Sequence, residues 1–181
     1  MGIDKRKYKK IPARMISLTA MFAAFTAVCL YLSYVVPNMK FTFYFLSSIF
    51  VMGILIEGMS GMAVLLYVIV SGLSLIILPI YYALPYIILF GHYGLGKYFL
   101  ETRFKNKVLA TVLKLIYFNI ALAGMYFAVI YTGFLPMNDL FEKLPIWSWA
   151  LIIQPVFLVF DFIYSKVTVF YVGAIRSRVI R

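Results

Sequence analysis

Asp161 is the residue of this chain whose setting most demands chemistry. It lies in an apolar run, Phe157-Leu158-Val159-Phe160-Asp161-Phe162-Ile163. A carboxylate inside such a run is costly, and it marks either a functional site or a structural pairing with a neighbour. On a helix, Gln154, Asp161, Ser165 and Thr168 fall within about 60° of one another, forming a polar stripe that must face a bundle interior or a water-filled cavity. Asp161 can anchor a neighbouring helix, hold a ligand or carry a proton. Asn119 and Tyr126, seven residues apart, share a face of the preceding apolar segment, and Asn119 is expected to hydrogen-bond across helices.

No enzymatic constellation accompanies these residues. His92 is the single histidine and Cys29 the single cysteine. Together they cannot complete a zinc set, and Cys29 cannot form a disulfide framework. There is no Ser-His-Asp arrangement and no His-Glu-x-x-His helix, and Gly91-x-x-Gly94-x-Gly96 follows no strand, so it is not a phosphate-binding loop. Asp161 has no clear catalytic companion. The expectation is a protein that is not an enzyme, with no catalytic residue, no metal and no cofactor.

The elements that must position these groups follow from composition. The chain has 181 residues, 65% hydrophobic and 19% aromatic, with a mean hydropathy of +0.99. No soluble domain stays in solution with such values, so an all-α integral membrane protein is expected, one membrane domain over 1–181. Six transmembrane helices are read at residues 16–36, 41–56, 59–78, 80–100, 108–134 and 147–172. A basic N-terminus (1–14) precedes them and a basic tail (173–181) follows. The first run resembles a signal sequence but is long enough to span, and it is kept as the first helix. The second is short and needs shielding by neighbours. Glu57-Gly58-Met59-Ser60-Gly61 reads as a turn in which two glycines free the backbone. In the fourth, Pro85 and three glycines predict a kink whose freed backbone groups are satisfied by neighbouring helices.

The net charge of +11 does not indicate nucleic acid, because basic residues gather at the ends and in the loop 101–107. With six spans and the N-terminus inside, the cytoplasmic set includes Lys97, Arg103, Lys105, Lys107, Lys114, Lys166 and both basic ends; only Lys40 and Lys143 of the 17 basic residues fall outside. That bias puts both termini in the cytoplasm of a cell whose inner membrane the chain crosses. Lys114 and Lys166, near inner helix ends, are expected to snorkel to the interface.

The outer ends are rich in Tyr and Trp, including Tyr82, Tyr86, Tyr126 and Trp147. They suit an interfacial belt, or else the walls of a pocket in which Asn38, Lys40 and Gln154 supply polar contacts to a small, flat ligand. The candidate substrate-binding set is therefore Asn38, Lys40, Tyr82, Tyr86, Asn119, Tyr126, Trp147, Gln154 and Asp161. The first helix carries a different signal. Ala13, Ala20, Ala24 and Ala27 share a narrow arc that is almost bare of side-chain bulk, a face on which another helix can pack closely in lipid.

With Ala20-x-x-x-Ala24, Ala23-x-x-x-Ala27 and the short second helix followed by Gly58-x-x-Gly61, the chain resembles the substrate-binding S components of energy-coupling factor (ECF) vitamin transporters. The likeness spans most of the sequence and is strongest over 13–79. It implies a six-helix protein that captures a micronutrient at its outer face. It also implies that Ala20, Ala23, Ala24 and Ala27 contact a coupling transmembrane subunit driven by two cytoplasmic ATPases. No vitamin-specific motif identifies the substrate. Two other functions fit the residues: a non-transporting scaffold or accessory subunit that binds a partner through the alanine face, and, with least support, an intramembrane enzyme acting on lipid.

Overall fold

The computed structural model describes residues 13–104, 106–132 and 146–176, and these are helical throughout apart from short connections. In order they form α1 (Ala13–Val35), a 3-10 turn (Pro37–Met39), α2 (Lys40–Ile56), α3 (Ser60–Ile77) and α4 (Ile80–Pro85). A π turn (Tyr86–Phe90), α5 (Gly91–Arg103), α6 (Lys107–Thr132), α7 (Ile146–Phe170) and a second π turn (Tyr171–Arg176) complete them. Four stretches are long and apolar enough to cross a membrane: Ala13–Val35, Ser60–Ile77, Val108–Tyr131 and Ile153–Gly173. Large apolar side chains such as Phe25, Val68, Ile76, Phe127 and Val159 point outward on them. A bundle with an apolar exterior is built for lipid, and a helical, multi-pass membrane architecture follows. The N-terminal basic cluster Lys5–Lys10, Lys105, the outer loop with Lys143 and the end of the tail lie outside the described residues.

α2 is the axis of the fold. Its 17 residues span about 25 Å, less than a full bilayer core. It compensates by burial: Tyr44, Ser47, Ser48, Val51, Met52, Gly53, Ile54 and Leu55 are all covered, by α1, α3, α5 and α7. Phe22 of α1 lies flat on Gly53, where a Cβ would stand 2.7 Å from the ring. The α2–α3 turn departs from expectation in one respect. Gly58 alone takes a left-handed φ of 79°, while Gly61 sits inside the first turn of α3 and plays no part in the reversal.

The rod from Ile80 to Arg103 runs without a break, longer than the expected 80–100, and it absorbs Pro85 through the π turn. Proline has no N–H to give, so the ladder is disturbed around it. The Tyr86 amide donates to the Ala83 carbonyl, and the Gly91 amide reaches back five residues to Tyr86. Two tyrosines from neighbouring helices satisfy carbonyls of this stretch: the Tyr44 hydroxyl donates to Tyr82 O at 2.7 Å and the Tyr67 hydroxyl to Ile87 O at 2.9 Å. The expected rescue by neighbours is present. Buried positions run Ala83 and Tyr86 before the irregularity, then Gly91, Tyr93, Gly94 and Lys97 after it.

Candidate functional site

On α5, Tyr93, Lys97 and Glu101 are spaced by four and lie in one stripe; on α7, Asp161 and Ser165 do the same. The two stripes face each other with Lys114 of α6 between them. Asp161 Oδ1 accepts from Lys97 Nζ and from the Tyr93 hydroxyl at 2.5 Å. Asp161 Oδ2 accepts from Lys114 Nζ, also at 2.5 Å. Lys97 Nζ donates further to Ser165 Oγ at 2.6 Å and to the Asp161 carbonyl at 3.2 Å. Glu101 Oε1 closes the figure, 2.9 Å from Lys114 Nζ and 3.5 Å from Lys97 Nζ.

Two ammonium groups are thus held between two carboxylates, and formal charge balances. The members differ in access: the side chains of Lys97, Lys114 and Asp161 are 1%, 6% and 12% exposed, that of Glu101 42%. Taking an ion out of water costs several kcal/mol even after relaxation, and only good geometry with further hydrogen bonds offsets it. Asp161 meets that condition with three side-chain donors. Beneath the cluster, Gly94 leaves room for Tyr164, whose hydroxyl would lie 2.5 Å from a Cβ at that position. That hydroxyl donates to Ser48 O at 3.0 Å and accepts from Ser48 Oγ at 3.2 Å. Lys97 Nζ also sits 5.5 Å from the Tyr164 ring centre, a cation–π contact. The arrangement can clamp three helices together, and its positive pair can hold an oxyanion.

This geometry corrects three expectations. Lys97 is not a free loop charge, and Lys114 does not snorkel outward, because Asp161 offers both a partner inside the bundle. Glu101 is not part of a loop, since α5 continues through Arg103. Asp161, read as lacking companions, has two lysines and a tyrosine. The missed signal was arithmetic: the apolar spans held three lysines, Lys97, Lys114 and Lys166, besides their one aspartate, and Tyr93, Lys97 and Glu101 repeat every fourth residue.

The remaining candidate residues are dispersed. Lys40 Nζ stands 4.6 Å over the Tyr82 ring, which meets Tyr34 edge-on at 5.0 Å, with Asn38 exposed in the adjoining 3-10 turn. Tyr86, one turn further along, is fully buried against Tyr67 and Gly91 and does not line an open pocket. Asn119 and Gln154 pair across α6 and α7, Gln154 Nε2 donating to Asn119 Oδ1 at 2.6 Å, which is the interhelical bond expected of Asn119. Tyr126 is exposed, its ring 6.0 Å from that of Phe127. The side chain of Trp147 lies outside the described residues. His92 is packed between the rings of Tyr67 and Tyr117.

The alanines of α1 divide: Ala20 and Ala24 face away from the bundle, whereas Ala23 packs against its core. Ala20 and Ala24 are exposed, Ala23 and Ala27 half-buried, while Thr19, Phe22, Thr26, Cys29, Leu30 and Ser33 form the inward face. Ala27 also borders an apolar groove of about 270 Å³ between α1 and α3, floored by Leu30, Val70, Ser74 and Leu78. No protein-family model, curated protein or solved structure matches the chain.

Proposed function

We propose that the chain is the substrate-binding S component of an ECF-type importer of the inner membrane. It takes a small micronutrient from the outer side and releases it inward when a coupling transmembrane subunit, powered by two cytoplasmic ATPases, reorients it. The observation that carries this proposal is the outward exposure of Ala20 and Ala24 on α1, flanked by exposed Met21, Phe25 and Val28, while Thr19, Phe22, Thr26, Leu30 and Ser33 turn inward. Close helix contact in lipid needs such a bare face. The chain has no nucleotide-binding motif, so any energy must come from a partner.

Six spans with both termini inside remain the preferred topology after the buried lysines are removed from the count. Arg103, Lys105, Lys107, Lys166 and both basic ends lie on one side, against Lys40 and Lys143 on the other. At the outer end, Lys40 over Tyr82, beside Tyr34 and Asn38, supplies an aromatic and cationic surface suited to first contact with a flat or anionic cargo.

The test is co-purification. The tagged full chain, co-expressed with an ECF coupling subunit and its two ATPases, should retain them, and Ala20→Leu/Ala24→Leu should lose them without altering the melting temperature of the isolated protein. Native mass spectrometry of the wild type should show a carried small molecule. Retention of the partners by the double variant would overturn the docking role. A scaffold or accessory subunit is the second reading, favoured by the closed packing of Tyr86; it predicts a partner but no carried molecule and no thermal response to any micronutrient.

A further inference from the structure

Lys97 and Lys114 are bridged twice. On the bundle side the two oxygens of Asp161 take one ammonium each, the Tyr93 hydroxyl donates to that carboxylate, and Ser165 holds Lys97 by accepting from it while donating to the Asp161 main-chain carbonyl. On the other side a single oxygen, Glu101 Oε1, is shared by both ammoniums at 2.9 and 3.5 Å. The two bridges are unequal. Asp161 is buried and accepts three side-chain donors, whereas Glu101 is 42% exposed and sits within the last turn of α5, beside the basic sequence Arg103, Lys105 and Lys107. Without Glu101 the buried set of Lys97, Lys114 and Asp161 carries a formal charge of +1.

We infer that Lys97 and Lys114 form an oxyanion-binding site whose outer half Glu101 occupies as a built-in, exchangeable stand-in for a phosphate or carboxylate ligand. Lys97 Nζ already gives its three protons to Asp161 and Ser165, so a tetrahedral or planar oxyanion takes its hydrogen bond from Lys114, where Glu101 now accepts, and meets Lys97 through charge. Charge-assisted bonds of that kind are the strong ones. An exposed side chain in an ion pair gains little from holding its position, so a competing anion displaces Glu101 far more readily than Asp161. The basic residues that follow raise the local anion concentration. The phosphate can come from a lipid headgroup of the surrounding leaflet or from a soluble anion. The site lies apart from the outer Lys40–Tyr82 surface, and it stands whether or not the chain belongs to an importer.

The experiment uses the full chain, wild type and Glu101→Gln, in neutral detergent and in nanodiscs. Inorganic phosphate, compared with chloride at matched ionic strength, should raise the melting temperature of Glu101→Gln by about 5 °C near saturation and that of wild type by clearly less. Nanodiscs of phosphatidylglycerol compared with phosphatidylcholine provide the second arm. A response there without one to free phosphate assigns the site to a headgroup, and a response to both assigns it to phosphate from either source. Adding Lys114→Gln to Glu101→Gln should abolish the response. No anion-specific rise in either arm, or a rise that survives Lys114→Gln, overturns the assignment. If Glu101→Gln does not fold, Glu101→Asp serves instead, because its shorter carboxylate cannot span both lysines and the same rise is expected.

Discussion

The two sides of this bundle solve the problem of living in lipid by opposite means. Where α5, α6 and α7 meet, the chain buries three formal charges beside an exposed fourth, Glu101, and satisfies them with one another and with tyrosine and serine hydroxyls. Along α1 it does the reverse, turning the hydroxyls of Thr19, Thr26 and Ser33 inward onto its own backbone, as Thr26 does to Phe22 O at 2.7 Å, and leaving Ala20 and Ala24 outside. One region is internally complete and geometrically fixed; the other is unfinished by design, since a bare helix face gains its packing only from another helix. Specificity of fold belongs to the first and association to the second.

The sharpest way to break that contrast is to remove the shared carboxylate. Asp161→Ala strands two buried ammoniums, and a loss of about 3–5 kcal/mol is expected. Thermal unfolding in detergent or nanodiscs measures it; a loss under about 1 kcal/mol would show that the cluster is hydrated or dispensable. Next in size is Gly94→Ala, which places a Cβ against the Tyr164 hydroxyl and should cost about 1–3 kcal/mol by overpacking. Gly72→Ala, on α3 where nothing lies within contact of the added carbon, is the control and should be neutral or slightly stabilising. Glu101→Gln removes the exposed bridge, and its direct effect on stability should stay under about 1 kcal/mol because water screens that pair. Smallest of all, Ala20→Leu/Ala24→Leu should shift the stability of the isolated protein by no more than about 0.5 kcal/mol, while eliminating partner retention. A large loss of stability in the alanine variant, or none in Asp161→Ala, would erase the distinction between the two regions.

Helical character and the places of the helices were legible in the sequence because apolar runs and Pro or Gly breaks report directly on burial and on backbone freedom. Pro37, Gly58 and Pro79 fall where the helices meet. The role of α2 was legible in outline, since 16 residues are too few for a bilayer and such a helix must be covered. The ion cluster was only half legible. A helical wheel orients Asp161 with Ser165, but it cannot say which of two lysines on other helices points at them. That depends on how α5 and α6 are rotated, and rotation is set by contacts such as Tyr164 on Gly94 that involve residues far apart in the chain. Tyr86 failed as a pocket residue for a related reason. Its position near Tyr82 suggested a shared wall, but it follows buried Ala83 by three residues and so shares the inward face, against Tyr67.

That irregular turn also sets a rule for how the gene can change. From Tyr86 the inward-facing positions resume at Gly91, five residues on instead of the usual three or four. Tyr93, Gly94 and Lys97 therefore face the bundle with one surplus residue accommodated in the rod. A single-codon deletion anywhere between 86 and 90 would turn that five-residue step into the four-residue step of a regular helix, leaving Lys97 and the rest of the downstream face turned toward the bundle. The same deletion between 93 and 97, where the helix is regular and has no residue to spare, would swing Lys97 by about 100° from Tyr93 and leave Asp161 with one lysine, so an in-frame deletion scan should find tolerated sites in the segment least regular in shape.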